Sequence, residues 1–185
     1  MKRLLWLLIC ISTFFIACKS SNADDQANAI ARNKPANEIE ENIYRSADSM
    51  LAAFRRQDWQ TFARYNHPAM MKMMGGPDKF VFFIKEQMKH IPDTAVKKIG
   101  AGNILQVIKT ENDHQCVVEQ HMHMRLEGID INTITYLVGE SLDGGKNWTF
   151  FDASSNGLVT PKDIKPDISA ELTIPSLKKE VKQLE

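Results

Sequence analysis

The sequence of 185 residues has few cysteines and no excess of either charge. With three cysteines, a disulfide-rich fold is excluded. Its 23 basic and 23 acidic residues leave no net charge to attract nucleic acid over a long range. Lys and Arg are also scattered rather than clustered, so nucleic-acid binding is disfavoured. The length and the 43% hydrophobic content predict one globular domain with appendages.

Signature motifs of common catalytic sites are missing as well. The chain contains no G-x-S-x-G, GxxxxGK[ST], GxGxxG or HExxH, and its Asp/Asn-rich stretches lack EF-hand spacing. Catalysis by those routes is disfavoured, and the sequence predicts no cofactor.

No apolar run is long enough for a permanent membrane span. After the basic residues Lys2 and Arg3, the run from Leu4 to Ala17 is interrupted only by Ser12 and Thr13. About fourteen helical residues reach about 21 Å, which is short of the ~30 Å hydrocarbon core. Residues 1–17 are therefore predicted to be a secretory signal peptide.

The next residues point to a lipid anchor. Phe15-Ile16-Ala17-Cys18 resembles the lipobox of bacterial lipoproteins, in which small residues precede the Cys that becomes the lipidated N-terminus. The resemblance implies lipidation of Cys18 and a lipoprotein of the cell envelope, facing the periplasm or the cell surface. Cys10 would leave with the signal peptide, and Cys116 is expected to be a small buried hydrophobe.

Residues 18–37 are polar and aperiodic, and predict a disordered tether after the lipidated Cys. From residue 38 onward, apolar residues recur at steps of three and four, which predicts helices. A second helix, capped by Asp58, carries Trp59, Phe62 and Tyr65 on one side. The predicted helices cover 37–57, a short stretch from residue 58 that ends at His67-Pro68, and 78–90.

The pattern then changes to a period of two. Turn residues at 112–113, 127–128 and 143–146 separate four predicted strands, which cover 96–110, 115–127, 129–142 and 147–153. The fold class is therefore α+β, with N-terminal helices packed on a curved antiparallel meander of at least four strands.

This order of elements resembles the nuclear transport factor 2-like cone fold, the superfamily of SnoaL-like and ketosteroid-isomerase-like proteins. The similarity lies in a long helix, DWQTFARYNHP, a further helix, and a meander that ends in DGGKNWTFFDAS. It covers residues 38–154 and implies a small hairpin within 69–76. Many exported lipoproteins of that superfamily have no assigned reaction.

Residues 155–185 are predicted to be a Pro-containing extension packed along the domain. Leu177, Val181 and Leu184 are spaced to form one face of a short terminal helix. No function follows from this tail.

Two groups of residues suggest metal ligands. His121 and His123 would share one face of a strand, about 6.5–7 Å apart, with Glu119 beside them. The interpretation that we favour is a polar outer sheet face or the interface of a homodimer, with no metal. The second group is a cluster of four methionines, Met70, Met71, Met73 and Met74. Their soft thioethers suit Cu(I), but flexible methionines more often fill apolar pockets.

An apolar mouth of the cone is the preferred ligand site. If the last hairpin turns at 144–145, Asp152 shares a sheet face with Thr133, Thr135 and Leu137. Asp152 then either faces the cavity or bonds a backbone amide at the strand end, and the second is favoured. The candidate pocket residues are Trp59, Tyr65, His67, Met71, Phe83, Trp148, Phe150 and Asp152.

The sequence thus predicts a membrane-anchored, non-catalytic domain that binds a small hydrophobic ligand or a peptide. A cofactor-independent isomerase, dehydratase or cyclase is the alternative, and it would need Asp152, His67 or Tyr65 as acid and base in the cavity. A structural, dimeric lipoprotein is a third. The catalytic residues, the ligand and the oligomeric state stay open.

Overall fold

The structure, a computed structural model, describes residues 30–154 and 159–184. The signal peptide and Cys18 lie outside the described residues. Among these residues, four helices come first, α1 Glu38–Arg55, α2 Trp59–Tyr65, α3 Pro68–Met73 and α4 Pro77–Met88. Four strands follow, β1 Val96–Lys109, β2 His114–Leu126, β3 Ile129–Ser141 and β4 Thr149–Asp152, and then α5 Pro161–Ile164 and β5 Lys178–Gln183.

The predicted α+β fold class is confirmed. Strands β1 to β4 pair consecutively and antiparallel, as the turn signals indicate. The predicted cap of α2 is also present, because a side-chain oxygen of Asp58 accepts the Thr61 N–H at 3.1 Å. The segment 69–76 differs from the hairpin that the resemblance implies: Pro68 begins a helix there, since proline suits a first helical turn.

Alternation along the strands gives the sheet an inner face and an outer face. The inner face packs on α1, where Ile43, Ala47 and Leu51 meet Val118 and Leu137 in the main core. The register pairs Leu137 with Asp152 and Gly139 with Phe150, so the predicted sharing of that face by Phe150 and Asp152 is confirmed.

The terminal helix prediction is wrong. Residues 178–183 form β5, which pairs antiparallel with the first half of β3 from Ile129↔Gln183 to Ile134↔Lys178. Leu177, Val181 and Leu184 stay 41–54% exposed. A helix here would therefore gain no stability from burying an apolar face. The open edge of β3 offers backbone hydrogen bonds instead.

The predicted tether also includes residues that contact the domain. Both Arg32 Nη atoms donate to the two carboxylate oxygens of Asp48 at 2.8 Å, and the guanidinium lies 3.9 Å from the Tyr44 ring centroid. The backbone N–H of Asn33 donates to Asn103 Oδ1 at 3.0 Å. The packed part of the chain therefore begins before residue 38.

A buried ion cluster attaches the C-terminal extension to the outer face of the sheet. The Lys165 ammonium, with its side chain 2% exposed, lies 2.6 Å from Asp113 Oδ2 and 3.0 Å from Asp167 Oδ1, and also contacts Glu140 Oε1. Around it, Ile164 packs on Val138 and Phe151. The extension is thus held by a charge network beside an apolar cluster.

We predict that Lys165→Met lowers the free energy of unfolding by about 3–5 kcal/mol, because it leaves two buried carboxylates without their cation. Urea denaturation measures the loss. The control is Lys162→Met on the exposed side of the same helical turn, which should change stability by less than about 0.5 kcal/mol. Equal losses in the two variants would contradict a special role for the buried ammonium.

Candidate functional site

A cavity of about 260 Å³ lies between α1, α2 and the inner sheet face. We call it the inner cavity. Among the described residues that line it, three are polar, Asn66, Gln120 and Asp152. The other nine are apolar, namely Met50, Leu51, Phe54, Phe62, Ile99, Met122, Leu137, Phe150 and Phe151.

The helical wall of the inner cavity follows from helical spacing. Met50 and Phe54 are four residues apart on α1, so they share one helix face. Phe62 of α2 lines the same cavity, together with Asn66, the residue that follows this helix. The rings of Phe54 and Phe62 meet edge to face with centroids 5.5 Å apart, which is a favourable aromatic geometry. The two helices therefore form one continuous aromatic wall.

The sheet wall depends on a glycine. A Cβ at position 139 would lie 2.6 Å from Cys116 Sγ and 2.7 Å from Phe150 Cε1, so a side chain cannot be accommodated without displacing them. The missing side chain leaves room for the Phe150 ring, which is fully buried and borders the cavity. Burial also raises the pKa of the Cys116 thiol, so this group stays protonated and unreactive.

The polar groups at the cavity are few and partly occupied. Asn66 Nδ2 donates to the Phe62 carbonyl at 2.9 Å, and Asp152 Oδ1 accepts the Ser154 N–H at 2.7 Å. Thr135, the register partner of Gln120, has a buried Oγ1 without a hydrogen-bond partner. The same holds for Thr133 two residues earlier on this sheet face. Hydroxyls in this state can bond to a ligand or to water.

The structure does not bring the eight sequence-predicted pocket residues together. Phe150 and Asp152 line the inner cavity, and Asp152 also makes the backbone bond that the sequence favours. Trp148 is buried beneath the hairpin, where its indole N–H donates to the Gly145 carbonyl at 3.1 Å. Phe83 is 43% exposed on α4.

Three of the remaining candidates face elsewhere because of the rotation of short elements. Trp59 and Met71 pack in a separate cluster with Phe80 and Val81 of α4. Tyr65 lines a different cavity, one helix face away from Phe62 and Asn66.

His67 lies on the other side of the sheet. Asn66 forms a parallel bridge with Phe150, and the backbone N–H of His67 donates to the Phe150 carbonyl at 2.8 Å. Successive residues of such an extended segment point to opposite faces, so Asn66 faces the cavity and His67 does not. The His67 ring meets Phe151 edge to face at 5.6 Å.

Both ring nitrogens of His67 are engaged. Nδ1 accepts the Ala69 N–H at 3.2 Å, so Nε2 is the protonated nitrogen that donates to Glu140 Oε2 at 2.8 Å. Glu140 in turn contacts Lys165. His67 is therefore a structural member of the buried ion cluster rather than a base in the cavity.

Sequence reasoning missed most of the cavity wall. The helical and strand patterns predict only the elements that carry Met50, Phe54, Phe62, Gln120 and Met122, and not their place around a cavity. The available signal was the pairing of α1 and α2 around the short turn at 56–58, which brings Phe54 to Phe62. The cluster of Asp113, Glu140 and Lys165 carried no local signal, because its members come from three distant segments.

The structure does not assemble the candidate histidines and methionines into a metal site within the residues that it describes. His121 Nε2 lies 3.1 Å from Glu119 Oε2 and His123 Nε2 lies 3.3 Å from Asp130 Oδ1, on the outer face as predicted. Of the methionines, Met70 and Met71 pack in two different apolar clusters, while Met73 is 51% exposed. Within residues 30–154 and 159–184, no group of three His, Cys, Asp or Glu could hold a metal ion.

Comparison with known proteins finds no matching family model, no matching curated protein and no matching solved structure. Among the described residues, no helix is long and apolar enough to cross a membrane. The lipobox and cone-fold resemblances therefore stay predictions.

We predict that the ion cluster makes unfolding pH-dependent in acid. The hydrogen bond from His67, with that from Lys165, holds the pKa of Glu140 below its ordinary 4.5 in spite of burial. A carboxyl with a lowered folded pKa stabilises the fold above 4.5, and this contribution is lost as the pH falls through the lowered value.

Glu140→Gln should thus flatten the plot of unfolding free energy against pH below about pH 4.5, measured by urea denaturation. The control is Glu111→Gln, which removes the same charge from an exposed site in the β1–β2 turn. A slope for Glu140→Gln that equals the wild-type slope contradicts the assignment.

Proposed function

We propose that this chain is a membrane-anchored lipoprotein whose domain binds a small hydrophobic ligand in the inner cavity. The observation that carries the proposal is the cavity of about 260 Å³, in which nine of the twelve lining residues that the structure describes are apolar. Small-molecule sites are typically concave, mostly apolar and provided with a few polar groups that orient the ligand. Asn66, Gln120 and Asp152 are groups of that kind.

Binding is favoured over catalysis by the titratable groups at the cavity. Among the described residues that line it, Asp152 is the single ionisable one, and its carboxylate is exposed and bonded to the Ser154 N–H. An isomerase or dehydratase of the cofactor-independent type needs a desolvated base together with an acid that stabilises the developing charge. His67, the second candidate for the acid or base, is hydrogen-bonded to Glu140.

The anchor and the fold family belong to the same proposal. Helices followed by an antiparallel meander, with a cavity between them, agree with the nuclear transport factor 2-like resemblance. Cys18 precedes the first described residue by twelve positions, a length that reaches about 40 Å at most when extended. A lipid at Cys18 would hold the domain close to the membrane surface of the cell envelope.

We predict that Met122→Trp weakens ligand binding by filling the inner cavity. Met122 is half-buried on the sheet wall, so the larger indole occupies space that a ligand needs. Octan-1-ol serves as a neutral apolar probe, and calorimetric titration of the full chain should show affinity lower by about tenfold or more. Thermal denaturation checks that the variant is folded.

The matched control is Met124→Trp. This residue follows two positions later on the same face of β2, is also half-buried and does not line the cavity. It should retain wild-type affinity. If wild-type protein does not bind octan-1-ol or other alkyl probes, the proposed small-ligand function is wrong.

We predict that Cys18→Ser prevents lipid attachment, because a hydroxyl cannot form the thioether that the lipobox resemblance implies. Labelled palmitate in an expressing bacterial host, followed by membrane fractionation, measures it. The control, Cys10→Ser, lies within the predicted signal peptide and should leave labelling intact. Equal labelling of wild type and Cys18→Ser would rule out this anchor.

A further inference from the structure

The floor and the mouth of the inner cavity differ in their exposure to solvent. Met50, Leu137 and Phe150 belong to the floor and are buried. Among the lining residues that the structure describes, Asp152 is the exposed one. The cavity therefore opens to solvent beside the Asp152 carboxylate.

The charge at this mouth is negative. Among the described residues that line the cavity, none is Lys, Arg or His, and the one acid is Asp152. A ligand head at the mouth therefore meets a carboxylate that no cation of the described lining opposes. Coulomb's law disfavours an anionic head in this position and favours a cationic one.

The register of the sheet places a second polar side chain near the same part of β3. Asp152 pairs with Leu137, and Gln120 pairs with Thr135, two residues earlier on β3. All four side chains lie on the inner face, because alternate residues of a strand share a face. Gln120 and Asp152 therefore approach the middle of β3 from its two sides.

Hydrogen-bond acceptors outnumber donors among the polar groups of the cavity. An ionised Asp152 only accepts, and each amide of Asn66 and Gln120 adds an acceptor oxygen. Asn66 Nδ2 already donates to the Phe62 carbonyl at 2.9 Å, whereas no described hydrogen bond uses its Oδ1. An ammonium group complements this set, because it has three donors and no acceptor.

We infer that the ligand is an apolar amine. Its hydrocarbon part lies on the floor of the inner cavity, and its protonated amino group lies at the mouth beside Asp152. The inference rests on the proposed function, since it names the class of ligand for the same cavity.

Asp152 retains its structural bond in this arrangement. Its Oδ1 accepts the Ser154 N–H at 2.7 Å. A carboxylate has two oxygens with about four lone-pair sites, so it accepts from this backbone group and from an ammonium at the same time. The ion pair forms at an exposed position, so its contribution to affinity is modest and sensitive to salt.

The experiment compares three probes that share an octyl chain and differ in the head. Octylammonium, octan-1-ol and octanoate are titrated calorimetrically into the full chain at pH 7.5, where an alkylamine carries its proton. We expect octylammonium to bind about three- to fivefold more tightly than octan-1-ol, as one exposed ion pair allows, and octanoate to bind most weakly. Sodium chloride at about 0.5 M should reduce the preference for octylammonium, because salt screens exposed charges.

Variants locate the head of the ligand. Asp152→Asn keeps an Oδ1 acceptor for the Ser154 N–H and removes the charge, so the affinity ratio of octylammonium to octan-1-ol should fall to about one. The matched control is Asp78→Asn, which removes the same charge from the exposed first turn of α4, outside the described lining of the cavity. It should retain the wild-type ratio. Thermal denaturation checks the folding of both variants, and the salt dependence of the wild-type ratio tests the ion pair without a substitution.

The outcomes distinguish this inference from the proposed function. If octan-1-ol or octanoate binds as tightly as octylammonium, or if Asp78→Asn lowers the ratio as much as Asp152→Asn, the amine head is wrong and the apolar site stands. If no octyl probe binds, the proposed function itself is overturned, and the inference with it.

Discussion

One buried ammonium determines how the outer side of this molecule closes. Lys165, with a 2% exposed side chain, is surrounded by carboxylates from the β1–β2 turn, from β3 and from its own segment. A lone ammonium in this position would be far too costly to desolvate, so the carboxylates and the segments that carry them must be in place together. Glu140 extends the network to His67, and so to the segment after α2. Four distant parts of the chain are thereby fixed relative to each other by charge.

The inner side follows from this constraint through the period of the strands. When β3 directs Glu140 outward to Lys165, its neighbour Gly139 faces inward, where the absence of a side chain leaves room for Phe150. A slip of one residue would direct the carboxylate into the apolar core and the aromatic wall into the charge cluster. The ion cluster and the inner cavity therefore both depend on the same register of β3. The titratable groups that could support chemistry lie mainly on the side of the sheet away from the cavity.

Local patterns predicted the elements well, and the arrangement of the site poorly. The change of period after residue 95 and the turn at 143–146 were sufficient for the four paired strands and for the inward direction of Phe150 and Asp152. The rotation of the seven-residue helix α2 was not encoded in its pattern, so Trp59 and Tyr65 were placed in the pocket that Phe62 and Asn66 line. The spacing of Leu177, Val181 and Leu184 fits a helix, but residues 178–183 form a strand because the open edge of β3 offers them backbone hydrogen bonds. Nothing local marks Asp113, Glu140 and Lys165 as partners, because only the tertiary fold brings them together.

The ion cluster and the inner cavity lie on opposite faces of the sheet, so the residues that select a ligand are largely separate from those that stabilise the outer face. Substitutions at Met50, Phe54 or Met122 change the volume and shape of the inner cavity without touching the ion cluster. Energetic effects at sites without shared partners add independently, so the ligand preference can vary while the outer face still holds the fold. Phe151 is the exception, because it borders the cavity, contacts His67 and packs with Ile164. Coupling between ligand binding and the C-terminal extension is therefore expected to pass through this ring.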